Sequence, residues 1–502
     1  MCIKSKEKIL ESEVNILTNF IVQFPLITEI YQEYILDKRF EIGRKIYNSL
    51  VTVSQNRYKE MIKTKRYRNL ISELTNDKKK NKAIYKQIES MRKEYDLTEY
   101  SLHTDIKGMQ KHFKNNIDSF TAQKIATNLW KSYDKLFYGN GNKVCYKRYG
   151  NMNSLEGKSN NTGIRFKDNY LLWNGLTIPV KIDYNNQYEY NALQHEIAYC
   201  RIVRKYIRNK YKYYLQIIFK GTAPIKYNKE TGELKRYIGT GDVGLDIGTQ
   251  TVAISSNTDV KILELSDKVQ NIENQKRLLL RKIDRSKRVM NPNNFNEDGT
   301  IKKQGNKKIK WIKSNRYTNL QNQLKELYRK QADIRKYQHE CLANYIISLG
   351  DNIYVETMNF SGLQKRVTKT EKNDKGRFKK KKRFGKSLAN KAPSMLLTII
   401  NRKLGYYDRQ LIKIDTHSVK ASQYNHFNGE CNKKELSDRW NDFSGLKIQR
   451  DMYSAFLIMN VNSDLKSINQ EKCNERFDNF MRLHNIEVKR LLGNKNLSSI
   501  AI

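Results

Sequence analysis

Long apolar runs are missing from this chain. No stretch approaches the roughly 20 consecutive apolar residues that a membrane-spanning helix needs, and the best candidate, residues 16–36, carries Glu29 and Glu33. No secretory leader is read at the start, because Lys4, Lys6, Glu7 and Lys8 are followed by no uninterrupted apolar core. Cysteine is sparse and unpatterned. The six, Cys2, Cys145, Cys200, Cys341, Cys431 and Cys473, show no paired spacing, which argues against a disulfide framework and a four-cysteine zinc site. Reduced thiols in a cytoplasmic protein are the expectation. Proline is rarer still, 5 in 502 residues, and hydrophobic residues make up only 38%. The length allows roughly two to four domains, and the composition predicts helical modules around charged grooves rather than one globule.

Acid is scarce as well, with 52 Asp and Glu against 95 Lys and Arg, for a net charge of +43. An excess of that size attracts polyanions and makes their binding salt-dependent. Codon bias would raise Glu along with Lys, so it explains the imbalance poorly. Without an apolar span, nucleic acid is favoured over a membrane surface.

Residues 5–130 read as mostly helical, with Leu36, Phe40, Gly43, Tyr47 and Leu50 at three-to-four spacing and basic residues between them. From 135 to 240 the chain turns β-rich, and strands are predicted over 171–180, 196–203 and 211–219. Tyrosines and basic residues interleave there, which suits ordinary strand packing or base stacking in a groove. From Gly241 onward, strand-like runs at 243–247, 252–255 and 260–265 precede helices at 267–290 and 318–349, with a polar loop at 291–308. A strand at 353–356, a helix at 392–408, a strand at 411–415 and a helix at 451–461 follow. The fold class is α/β multidomain, and this order is that of a ribonuclease-H-like domain.

Three acidic residues occupy particular places in that order. Asp246 lies in Gly241-Asp-Val-Gly-Leu-Asp-Ile-Gly248, Glu356 ends Asn352-Ile-Tyr-Val-Glu356, and Asp451 opens a helical run after Gln449-Arg450. A carboxylate mid-strand, one at a later strand end and one on a final helix converge if the chain folds back in the ribonuclease-H-like way. Grouped so, three carboxylates suffice to hold two hard divalent ions, magnesium or manganese, about 3.5–4 Å apart for phosphodiester chemistry. Asp246 would bridge both ions, and Glu356 and Asp451 would complete one each. Asp242 competes with Asp246 on the same strand face. We prefer Asp246 because Gly248 follows and leaves room for a nucleic-acid backbone. Eight basic residues fall within 375–386. Lys379, Lys380, Lys381, Lys382, Arg383 and Lys386 are therefore candidate phosphate contacts, as is Arg450.

Gly244-Leu-Asp-Ile-Gly248, Tyr354-Val-Glu356 and Arg450-Asp-Met-Tyr-Ser-Ala-Phe-Leu-Ile458 resemble the three nuclease motifs of the TnpB-like proteins of insertion sequences, relatives of the compact type V CRISPR effectors. The likeness spans 240–462 and, more loosely, the N-terminal half, where Leu36-Asp-Lys-Arg-Phe-Glu-Ile-Gly-Arg-Lys-Ile-Tyr-Asn48 resembles the start of that family's helical recognition region. It implies an RNA-guided, magnesium-dependent DNA endonuclease with one RuvC-like site, and guide RNA and target DNA as partners. The implied plan places part of a wedge at 1–30, helical recognition at 31–132 and a β-rich wedge at 133–240. A RuvC-like nuclease would follow at 241–462 and a helical tail at 463–502.

One departure is plain. The family carries a zinc ribbon opening Ser-Gln-x-Cys-x-x-Cys-Gly before its third motif. Here Ser422-Gln-Tyr-Asn-His-Phe-Asn-Gly429 puts Asn425 and Asn428 at the cysteine positions, so a metal-free remnant is expected over 421–450. A zinc site from His417, His426 and Cys431 is the alternative. Two other functions share the fold. A transposase or recombinase acting directly on DNA would carry Glu as its last acid, and a nuclease-inactive repressor would have lost a carboxylate. Asp, Glu, Asp in that order disfavours both.

Overall fold

Alternating burial along Asn19–Pro25 (β1) marks the first described element as a strand with one face in a core. The computed structural model describes residues 19–75, 81–138, 141–228, 230–232, 234, 237–302, 309–364, 384–433 and 438–493. The chain divides into two units, Met1–Lys226 and Tyr227–Ile502. No helix among the described residues is long and apolar enough to cross a membrane.

In the first unit, β1 is followed by helices Ile30–Lys63 (α1), Lys65–Ser72 (α2), Asn81–Glu94 (α3), Glu99–His112 (α4) and Ser119–Phe137 (α5). Strands Ser154–Glu156 (β2), Arg165–Lys167 (β3), Tyr170–Trp173 (β4) and Leu176–Pro179 (β5) come next, then helix Gln187–Leu193 (α6) and strands Ile197–Ile207 (β6) and Lys210–Lys220 (β7). The sheets run β1-β7-β6-β2 and β3-β4-β5. The single strand expected over 171–180 is a hairpin. Asn174 and Gly175 both have positive φ, 44° and 74°, the turn chemistry that reverses a chain in two residues. The helical and β-rich stretches, read as separate domains from sequence, share one core that holds Leu36, Phe40, Leu129, Trp173 and Leu215. Two buried arginines tie them together. Arg39 donates to the carbonyls of Trp173 (2.7 Å) and Asn174 (2.8 Å), and Arg204 donates to Asp37 (2.7 Å).

The second unit opens with strands Asp242–Ile247 (β8), Thr251–Ser256 (β9) and Val260–Glu264 (β10) and helices Val269–Met290 (α7) and Asn315–Leu349 (α8). Strand Asn352–Glu356 (β11) and helices Phe360–Gln364 (α9), Gly385–Lys391 (α10) and Pro393–Leu404 (α11) follow. Strand Ile412–Ile414 (β12), helix Thr416–Val419 (α12), the hairpin Trp440–Phe443 (β13) and Leu446–Gln449 (β14), and helices Arg450–Met459 (α13) and Gln470–Leu492 (α14) complete it. The sheet order is β10-β9-β8-β11-β12. β9 is antiparallel to both neighbours, whereas β8, β11 and β12 run parallel. The helix expected over 392–408 is shorter at both ends. Pro393 suits a first helical position, and Ala392 before it is left-handed at φ 46°. The stretch expected as a tail is a wall of this unit: Phe480, Leu483 and Leu491 of α14 join the core, and Glu487 accepts the Ile262 N–H (3.0 Å).

Alternation along β8 sends Val243, Leu245 and Ile247 into the cluster with Ile346, Leu396 and Ile400, and turns Gly244 toward α13. A Cβ at Gly244 would run into the Ala455 carbonyl oxygen and lie 2.6 Å from the Met459 amide. A Cβ at Gly248 would meet Thr251 at an ordinary 3.5 Å. The glycine that the packing demands is therefore Gly244. Gly244→Ala should destabilise this unit by about 3 kcal/mol, as overpacking against a backbone that cannot yield does, and Gly248→Ala should be nearly neutral. Denaturant melts of both variants check this, and equal midpoints would refute it.

Candidate active site

The three predicted acids come to one place. Asp246 lies on the α13-facing side of β8, and Glu356 ends β11, which pairs with β8 in the register Val355 to Leu245. Asp451 sits in the first turn of α13, where the helix dipole favours a carboxylate. That end is held firmly. The Gln449 side chain accepts the Met452 N–H (2.8 Å), and the Gln449 N–H donates to His484 Nε2 (3.0 Å). Together the acids line a cleft of about 570 Å³, with Gln423, Lys433 and Arg439 on its walls.

Its electrostatics are unbalanced. Burial pushes the Asp246 carboxyl well above the usual carboxylate range, the charges of Asp451 and Glu356 push it further, and Arg450 offsets only part. Burial also raises Glu356. Asp451 is better compensated: Arg450 donates to its Oδ1 through Nε (3.1 Å) and Nη2 (3.0 Å), and Arg439 lies 3.6 Å from Oδ2. Asp242 is held by Arg476 (3.1 Å) and Asn352 (3.3 Å), which gives it a structural role. An all-oxygen set around a buried, under-compensated carboxylate suits a hard divalent cation. Among the described residues, no three His, Cys, Asp or Glu side chains are gathered closely enough to hold an ion as they stand.

The other candidates fall in different places. Arg450, read as a phosphate contact, is spent on Asp451 and on the Asp438 carbonyl (2.8 Å), with its side chain only 12% exposed. Lys386 is 73% exposed and pairs with Glu273 at 3.1 Å. Lys379, Lys380, Lys381, Lys382 and Arg383 lie outside the described residues. Arg439 and Gln423 escaped the sequence reading. Neither has a periodic or compositional signal, and only the hairpin β13–β14 and the turn at 421–424 bring them to the cleft.

Where the family resemblance implies a zinc ribbon, this chain has turns and rings. Asn425 Oδ1 accepts the Phe427 N–H (3.0 Å), and Asn428 Oδ1 accepts the Glu430 N–H (3.1 Å). His426 is buried, its Nδ1 2.6 Å from the Tyr453 hydroxyl, and its ring packs against Phe427, Phe456 and Phe477. Burial pushes the His426 imidazole down to about 4. His417 and Cys431 are exposed and do not join it. Elemental analysis of purified protein after mild chelation should find no stoichiometric zinc, and about one zinc per chain would overturn this reading.

A second expectation concerns Asp246. Folding raises its carboxyl, so the stability this group contributes is present at low pH and is lost as pH climbs through the raised value. At neutral pH without metal, Asp246→Asn should therefore melt higher than the parent, by about 2 °C. Magnesium should raise the parent's melting temperature more than the variant's. A lower metal-free melting point for Asp246→Asn would contradict this.

No family model matches the chain, and no curated protein matches it. Among solved structures it is similar to the cryo-EM structure of a Cas12f1–sgRNA–target DNA complex, at 11% identity and a TM-score of 0.42, over 89% of this chain and 99% of that one. It is also similar to the cryo-EM structure of a CRISPR–Cas12f ternary complex, at 11% identity and a TM-score of 0.25, over 86% of this chain and 82% of that one.

Proposed function

We propose that this chain is an RNA-guided, magnesium-dependent DNA endonuclease of the TnpB-like kind, cutting through a single RuvC-like site. The observation that carries the nuclease reading is the convergence of Asp246, Glu356 and Asp451 on one cleft. The sheet order β10-β9-β8-β11-β12, antiparallel then parallel, supports the ribonuclease-H-like fold for the second unit. The motif resemblance supports guide RNA and target DNA as partners, and the net charge of +43 supports a polyanion of some kind.

Asp246, Glu356 and Asp451 would hold the metal. Bound magnesium supplies charge stabilisation at the leaving oxygen and a nucleophile from water at neutral pH. The chain does the rest. Arg450 orients the Asp451 carboxylate, and Arg439 places a second cation on the wall where a phosphate would enter. The α13–β8 contact holds two of the acids side by side. The basic surplus elsewhere binds phosphate without reading sequence, which leaves target choice to base pairing.

Asp246→Ala, Glu356→Ala and Asp451→Ala should each abolish cleavage of duplex DNA while leaving nucleic-acid binding nearly intact. The losses should not add, because all three serve one site. RNA that co-purifies with the protein should be one structured species, and its removal should abolish cutting of matched duplex. Robust magnesium-dependent cleavage by Asp246→Ala protein would end the site assignment. Efficient cutting at a defined site by RNA-free protein would replace the guided reading with a directly acting recombinase.

A further inference from the structure

Helix α7 carries seven basic residues and two acidic ones. Three of the basic residues are occupied. Lys276 is buried and donates to Glu273 and Gln331 (both 2.9 Å), Arg288 pairs with Asp284 (2.7 Å), and Lys287 lies 3.6 Å over the Trp311 ring. The other four, Arg277, Arg281, Lys282 and Arg285, are exposed. None of the four makes an ion pair or hydrogen bond with any described residue. Arg277, Arg281 and Arg285 stand four residues apart, so they share one face at steps of roughly 6 Å. Like charges at that spacing oppose helix formation. Folding of the described residues gives no reason to line up three arginines that none of them pairs with, whereas a polyanion does.

The stripe lines an open groove of about 730 Å³ together with Leu280 and Lys386. Two carboxylates also border the groove, and both are neutralised: Glu273 by Lys276 and Lys386, and Asp284 by Arg288. Two adjacent residues of α10 link the groove to the cleft wall. Lys386 meets Glu273 at the foot of the stripe, and the next residue, Ser387, donates to the Thr249 carbonyl (3.1 Å). Thr249 belongs to the cleft wall beside Asp246.

We infer that Arg277, Arg281 and Arg285 form a phosphate track for the DNA strand whose scissile bond lies in the cleft, leading that strand away along α7. The inference rests on the nuclease reading above and adds to it where the strand runs. The contacts are to backbone phosphates, so they position the strand and carry no sequence preference.

The test uses full-length protein carrying Asp246→Asn, so that binding is read without cutting. Arg277→Gln/Arg281→Gln/Arg285→Gln is compared with Lys472→Gln/Arg482→Gln/Lys489→Gln on α14, which removes the same charge from exposed positions. The probes are a short oligothymidylate that fills only the cleft and a longer one that runs past it, titrated across a salt series. The α7 variant should weaken binding of the long probe and reduce its log–log salt slope by about 2, from three lost contacts at about 0.7 each. Its binding of the short probe should be unchanged, and its melting temperature no lower than the parent's. The α14 variant should leave the slope unchanged for both probes. An unchanged slope in the α7 variant, or an equal drop in both variants, would overturn the track. A greater loss for an oligoribonucleotide of the same length would give the groove to the guide strand, and would also overturn it. Cleavage by the unsubstituted chain reports separately: cutting with an unchanged slope sinks the track alone, and no cutting sinks the nuclease reading.

Discussion

The chemistry of the second unit depends on how closely α13 lies on β8. At Gly244 the helix backbone occupies the space a side chain would need, with the Ala455 carbonyl oxygen where a Cβ would stand. That approach brings the first turn of α13 beside the strand that carries Asp246, and so sets two of the three carboxylates on one cleft. It also dictates composition. Met452 to Met459 are buried without exception, so the helix is covered on every side and has no polar face. Its one acid sits in the first turn, where the helix leaves the core and meets the cleft. The absence of a side chain at 244 is what the crossing requires, and the apolar run after Asp451 is the burial of the same helix read along the chain.

Charge is distributed against local comfort in this unit. In a chain at +43, acids gather where burial makes them most costly, and Asp246 is left with partial compensation from Arg450. On α7, Arg277, Arg281 and Arg285 line up with no acid among the described residues to answer them. Sequences agree with their folds at most positions, and such conflicts persist where a ligand resolves them. A cation at the cleft and a polyanion along the helix are of opposite sign, and on the proposed function a phosphodiester with its metal would supply both.

Much of the second unit is legible in its amino-acid sequence. β-Branched runs and three-to-four periodicity locate its strands and helices from Gly241 onward, and the contexts of Asp246, Glu356 and Asp451 lead to the cleft. What escapes is pairwise. The bonds from Arg39 to Trp173 and from Arg204 to Asp37 join residues more than a hundred positions apart, so the union of the helical and β-rich stretches leaves no local trace. Gly248 draws attention as the glycine after the acid, while the crossing depends on Gly244, whose place inside a β-branched run is the available signal. The hairpin at Asn174-Gly175 and the break at Ala392-Pro393 are written in turn residues and masked by the apolar pattern around them. Arg450 reads as a free cation, because its partner is the adjacent side chain and sequence does not show which way a side chain points.

The described part of 421–450 is held by rings and by side-chain turns. A zinc ribbon uses metal bonds because so short a stretch buries too little to fold alone. Here the segment takes its core from the helices beside it. His426 lies among Phe427, Tyr453, Phe456 and Phe477, and Phe427 also meets Phe443 of the hairpin at 5.6 Å. Aromatic pairs of this sort add about 0.5–1.5 kcal/mol each beyond the area they bury, and Asn425 and Asn428 close the turns with their own side chains. Tyr453 stands two residues after Asp451 on α13, and its hydroxyl meets both the backbone N–H and the ring of His426. The segment is thereby clamped to the helix that carries the third carboxylate. Order around His426 and the position of Asp451 are one packing problem.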